Sequence, residues 1–213
     1  MSGETVRQDL VLLGQVIDTA RREWGLQLSG NPVFEVRKPP SAKARQRRLT
    51  YSDLKALLKV FRTVRNPLLP EVFKFALATG MRRGEILRVE WKHIDRQHHV
   101  VTIPITKNGH PRTIPLSSTA IRVLERRRAV CEGTGLVFPI TANAIRLGWQ
   151  RAKTKAGLVD FRFHDLRHEA VSRFFEVGLS LPEVALISGH LDPRQLMRYT
   201  HLEVTCPRRI GPV

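Results

Sequence analysis

The sequence predicts a mixed, mainly α-helical fold with one small antiparallel β-hairpin, and three observations lead there. Apolar residues recur at steps of three and four along most of the 213 residues, the spacing that lines one face of a helix. The period drops to two in one place, the β-branched runs 100–105 and 112–116, where Asn108-Gly109 between them signals a hairpin turn. Caps and glycine breaks divide the helical pattern into short pieces rather than one long rod.

In chain order, Val6, Leu10, Leu13, Ile17, Ala20 and Trp24 mark a first amphipathic helix, stopped by Gly25 and Asn31-Pro32. One helix cannot bury its own stripe, so it packs on the main domain or belongs to a missing partner. Residues 37–48 hold six basic residues (Arg37, Lys38, Lys43, Arg45, Arg47 and Arg48), Pro39-Pro40 and no acid. That composition describes an exposed linker, either simply solvated or laid as a strap along phosphates.

The main domain is expected to start at Leu49, with Thr50 as a cap and Leu54, Leu57, Leu58 and Phe61 facing inward. A second helix over about 70–78 breaks at Gly80 and leads into Thr79-Gly80-Met81-Arg82-Arg83-Gly84-Glu85-Ile86. After the hairpin come helices over about 119–130 and 141–155, separated by Gly133-Thr134-Gly135 and the apolar run Leu136-Val137-Phe138. Arg122, Arg126, Arg127 and Arg128 give the first of these a basic flank.

The most informative stretch lies near the end. In Phe163-His164-Asp165-Leu166-Arg167-His168, His164 and Arg167 share a helix face, because side chains three apart are neighbours. Asp165 is a candidate cap, and Leu166, Ala170, Val171 and Phe174 turn inward until Gly178. Ser180-Leu181-Pro182-Glu183 is a capping box with an early proline, and Gly189 closes that helix, leaving His190 at its end. Asp192-Pro193-Arg194-Gln195 starts a last short helix that carries Tyr199 near its end. Polar groups on the ends and faces of closely connected helices make a site rather than a core. The four-residue step from His164 to His168 invites a zinc reading, but Arg167 would set a cation beside the metal.

Charge narrows the partner. With 36 Lys and Arg against 19 Asp and Glu, the net charge is +17, a balance that concentrates polyanions and most often serves nucleic acid. No run of eighteen apolar residues, no signal peptide and no basic amphipathic helix with exposed aromatics points to a membrane. Cys131 and Cys206 are too few for a disulfide framework, so reduced thiols in a cytoplasm are expected.

Together, His164-Asp165-Leu166-Arg167-His168, Gly189-His190 and Arg198-Tyr199 resemble the second catalytic box of the site-specific tyrosine recombinases, the phage integrase family. Thr79 to Ile86 resembles their first box, with Arg82 at the catalytic position and Glu85 supporting it. The hairpin with Lys107 at its tip is similar to the one that carries the family's catalytic lysine. The resemblance covers about residues 49–202 strongly. It extends weakly to the first helix, residues 1–36, which is similar to the last helix of a core-binding domain. It implies a basic linker at 37–48, a catalytic domain over 49–213 with the tyrosine recombinase catalytic fold, double-stranded DNA as substrate, other protomers in a tetrameric synapse, and no cofactor or metal.

The implied chemistry suits the residues. Arg82 and Arg167 can fork onto the non-bridging oxygens of a phosphodiester and stabilise the charge that grows there. Tyr199 is the nucleophile, His164 the candidate base, Lys107 the acid for the departing 5′-hydroxyl, and His190 a hydrogen-bond partner of the phosphate. A type IB topoisomerase shares this transesterification, while a non-enzymatic DNA-binding domain or an RNA-binding protein would explain only the charge.

Overall fold

The computed structural model describes residues 1–40, 47–104, 111–131 and 133–200. The chain forms two compact units, Met1–Gln46 and Arg47–Val213. The division falls two residues before the expected start of the main domain, because Arg47 and Arg48 are bound to acids of the second unit.

In the first unit, α1 (Gly3–Glu23) is capped by Ser2, whose hydroxyl accepts from Thr5 N–H. Buried Asn31 donates to the Gly14 carbonyl at 2.8 Å and to Asp18 Oδ1 at 2.9 Å, and it accepts from Val33 N–H at 3.1 Å. These bonds fasten the single 3-10 turn Pro32–Phe34 over the middle of α1, where Gly14 leaves room for Val33. So small a cover does not reach the whole stripe, and Leu13 and Trp24, expected to face inward, are exposed.

The second unit begins with α2 (Tyr51–Phe61), started by a reciprocal capping box between Thr50 and Asp53. Leu57, Val60 and Phe61 are its buried residues, whereas Leu58 sits at the solvent margin. α3 (Leu68–Thr79) starts two residues earlier than expected, because the Asn66 side chain accepts from Leu68 N–H at 2.9 Å and the first turn tolerates Pro70. It ends at Gly80, left-handed at φ +64°. After the short α4 (Arg83–Ile86) comes a three-stranded antiparallel sheet in the order β1 (Ile94–Asp95), β2 (Val100–Ile103), β3 (Arg112–Pro115). Its register pairs Val100 with Pro115 and Ile103 with Arg112, so the two expected strands pair antiparallel, while the Asn108-Gly109 turn lies outside the described residues. β1 was not expected, since two residues show no alternation.

Ser117 and Thr141 cap α5 (Ser118–Arg128) and α6 (Ala142–Lys155). α7 (Asp165–Glu176), α8 (Leu181–Ser188) and α9 (Arg194–Met197) complete the unit. α3 is the spine, packed against α2, α5, α6 and α7. Phe73 contacts Phe61 at 5.0 Å and stacks on Trp149 at 5.9 Å, and Phe75 meets Phe138 at 5.2 Å, inside a largely apolar core. A smaller cluster of Val171, Phe175, Val184 and Leu196 joins α7, α8 and α9, and Tyr199 packs against its edge. Two end details differ from expectation. His164 holds the cap position of α7, and Asp165 accepts instead from Arg162 N–H at 2.7 Å. Tyr199 lies just beyond α9, its N–H bonded to the Leu196 carbonyl at 2.9 Å. No helix among the described residues is long and apolar enough to cross a membrane.

Candidate active site

The site is built on helix ends. Arg82 occupies the cap of α4, and Glu85, at the third position, turns back to accept from Arg82 N–H at 2.7 Å and from Arg82 Nη1 at 3.0 Å. From β3, Arg112 forks onto the same carboxylate, Nη1 to Oε1 at 2.9 Å and Nη2 to Oε2 at 2.7 Å. The Glu85 side chain is only 2% exposed. Burial alone would raise its pKa, but the Arg112 fork and then Arg82 outweigh burial and hold it below the usual carboxylate range. Arg112 Nε also donates to the Ile187 carbonyl at 3.2 Å, so one guanidinium joins α4, β3 and the end of α8.

Arg167 projects from the first turn of α7 and is buried. Its Nη1 donates to the Gly80 carbonyl at 2.7 Å and its Nη2 to the Ser188 carbonyl at 2.5 Å. These are carbonyls at the ends of α3 and α8, which no helix interior can satisfy. Gly80 and Gly189, both left-handed, turn the chain away there. Among the described residues no carboxylate hydrogen-bonds this guanidinium; burial, and then Arg82, bring its pKa down to about 10.

Next to it, Ser188 Oγ donates to the Val184 carbonyl at 2.6 Å and lies 2.6 Å from His190 Nδ1. A hydroxyl has one proton, so Nδ1 must be the donor to Oγ, and no hydrogen bond among the described residues engages Nε2 of His190. Burial first, then Arg167 and Arg82, push His190 to about 4. His164 keeps an edge in solvent, yet crowding by protein and then Arg167 hold it below its ordinary value.

The Tyr199 hydroxyl is hydrogen-bonded to His168 Nδ1 and accepts from Arg198 Nη2 at 2.8 Å. The Arg198 guanidinium lies 4.9 Å above the tyrosine ring, and the His168 ring meets His164 edge-on at 5.0 Å. Among the described residues no group of three or more His, Cys, Asp and Glu could hold a metal.

Of the residues expected from sequence, Arg82, Glu85, His164, Arg167, His190 and Tyr199 thus come from α4, α7, α8 and the segment after α9 into one electrostatically coupled cluster. Lys107 lies outside the described residues, as do Lys43 and Arg45; Arg37 and Lys38 are exposed. Arg47 and Arg48 differ from the expected free strap. Arg47 pairs with Asp53 at 2.8 Å, and Arg48 with Glu169 at 2.7 Å and Glu176 at 2.7 Å. The reason is Glu169, a carboxylate only 2% exposed on α7, which also accepts from Leu49 N–H at 3.0 Å and Arg173 at 2.8 Å. A charge so deeply buried must be neutralised by nearby donors. Sequence reasoning missed Arg112, His168 and Ser188 as parts of the site; the one signal available was the step from His164 to His168.

Residues 47–205 match the phage integrase family model. A shufflon-specific DNA recombinase of Escherichia coli is 46% identical over 95% of this chain and 52% of its own length. A putative integrase/recombinase of Haemophilus influenzae is 29% identical over 90% of the chain and 64% of its own. The chain thus spans about half to two thirds of the length of these relatives. Among solved structures, a lambda integrase dimer bound to a COC′ core site superposes with a TM-score of 0.78 at 18% identity, covering 99% of this chain and 78% of that one, a likeness of fold. With the family model spanning most of the second unit and a relative 46% identical over nearly all of the sequence, the chain belongs to the phage integrase family, and its second unit has the tyrosine recombinase catalytic fold.

Proposed function

We propose that this chain is the catalytic portion of a site-specific recombinase that cuts and rejoins double-stranded DNA through a 3′-phosphotyrosine intermediate, acting with further protomers in the bacterial cytoplasm. The observation that carries the reading is Arg167, a buried guanidinium fixed by two carbonyls and, among the described residues, without a hydrogen-bonded carboxylate. Such a cation is poorly compensated until an anion arrives. With Arg82 beside it, the remaining N–H groups fit the two non-bridging oxygens of a phosphodiester. The relatives, named as recombinases and integrases, support the same substrate.

Attack by Tyr199 Oη on phosphorus expels the 5′-oxygen, to which Lys107 supplies a proton. His190, with Nδ1 already donating to Ser188, steadies a phosphate oxygen through Nε2 once the negative charge of the bound phosphodiester favours protonation there. The two arginines stabilise the added charge of the transition state, a part that metal ions play in other phosphoryl transfers. The phosphotyrosine bond retains the free energy of the phosphodiester, so a second 5′-hydroxyl reverses the attack without a high-energy cofactor. The test is a pool of end-labelled, nicked DNA duplexes resolved on a denaturing gel with a chelator present. The parent chain gives a covalent band and Tyr199→Phe gives none while still binding DNA. A band that persists in Tyr199→Phe, or its loss in chelator, refutes the mechanism.

A further inference from the structure

We propose that His168, rather than His164, is the general base that takes the Tyr199 proton, with Arg198 setting the direction of that transfer; this rests on Tyr199 being the nucleophile. Arg198 Nη2 donates to Tyr199 Oη at 2.8 Å and also reaches His168 Nδ1 at 3.1 Å. A guanidinium has donors and no acceptor, so Nδ1 must present its lone pair and the ring proton sits on Nε2. The hydrogen bond between Nδ1 and Oη then has one possible proton, that of the phenol, and it points from Tyr199 to His168. That is the direction a base requires, with base and nucleophile in contact and a third group orienting them. His164 meets the edge of the His168 ring, 5.0 Å between centroids.

The groups around His168 fit the task. On α7 these are His164, Asp165 and Arg167, and from the segment after α9 they are Arg198 and Tyr199. Burial, then His164 and Arg198, hold His168 at about 4, so it is neutral at neutral pH and its lone pair is available. A phosphodiester seated on Arg82 and Arg167 brings negative charge that opposes these cations and raises the basicity of His168 when substrate is bound. In the step, the Oη–P bond forms and the P–O5′ bond breaks. The 5′-oxygen leaves with the bonding pair and takes the proton of Lys107, while the phenol proton passes to Nδ1. Rejoining runs the same transfers backward.

The experiment measures single-turnover adduct formation on the nicked duplex pool across pH, with the full chain and its His168→Gln, His168→Ala and His164→Gln variants. DNA binding by fluorescence anisotropy shows which variants are folded. The His168 variants are expected to form adduct about 10²- to 10⁴-fold more slowly near pH 7. Their rate should climb with pH as solvent takes over the proton, and added imidazole should partly restore His168→Ala. His164→Gln removes a group that helps hold His168 down, so its acid limb should move toward higher pH, while the base-dependent plateau stays and added imidazole changes nothing. His168→Ala or His168→Gln reacting within about fivefold of the parent with the same profile overturns the assignment, as does imidazole rescue of a His164 variant alone. A parent chain that forms no Tyr199 adduct overturns the recombinase reading and this one with it; a parent adduct matched by the His168 variants overturns this one only.

Discussion

Arg112→Met isolates the cost of the buried knot around Glu85. The substitution keeps much of the side-chain volume but removes two of the four donors on a carboxylate that is 2% exposed. Removing one partner of a buried ion pair costs about 3–5 kcal/mol, because the other charge is left uncompensated. Arg82 still supplies its N–H and Nη1, so the lower end, about 3 kcal/mol, applies. For a domain of this size each kcal/mol moves the melting temperature by about 2–4 °C, a fall of about 6–12 °C in all. The assay is thermal unfolding followed through the buried Trp91 and Trp149. The informative partner is the double variant Arg112→Met with Glu85→Gln, which removes the charge as well and should recover part of the loss. A fall below about 3 °C, or single and double variants whose effects simply add, would show that Glu85 does not depend on Arg112.

Arg167→Lys keeps a charge but loses the two-carbonyl fork, so adduct formation should fall about 10²- to 10³-fold while duplex affinity changes little; equal loss of binding would contradict the assigned role. Gly189→Ala puts a Cβ 2.9 Å from Arg112 Nη1 at a residue with φ +69°. It should destabilise by about 1–2 kcal/mol in urea unfolding, and a neutral result would show that the turn adapts. His168 and His190 sit at about 4 in the folded chain, against about 6.5 when unfolded. Between those values the unfolded chain binds more protons, so stability is full above about pH 6.5 and declines as pH falls toward 4. A melting temperature that is flat across that window would count against the depressed imidazoles.

What the sequence reveals here is local, and what it hides is distant. Thr50, Gly80, Ser180 and Gly189 mark helix ends because caps and left-handed turns depend on neighbours only. The family boxes carried Arg82, Arg167, His190 and Tyr199 in the same way. Arg112 and Glu85 stand 27 residues apart, and Arg48 and Glu169 stand 121 apart. No periodicity links such pairs, and a basic run reads as free cations until the acid that meets it is placed. The significance of His168 depends on where the end of α9 brings Arg198 and Tyr199, which no local pattern shows. Leu13, Trp24 and Leu58 fall on inward stripes by spacing, yet only the extent of the covering element decides whether a stripe is filled.

Glu169 has a mechanical meaning. It grips Arg48 and the Leu49 N–H where the polypeptide enters the second unit, and it stands one residue from His168 and two from Arg167 on α7. Force arriving along the chain at residue 48 is therefore delivered to the helix that holds the reactive groups, not dissipated at the surface. Because Glu176 takes a second bond from Arg48, two turns further along, the pull is spread along α7 rather than resting on Glu169 alone.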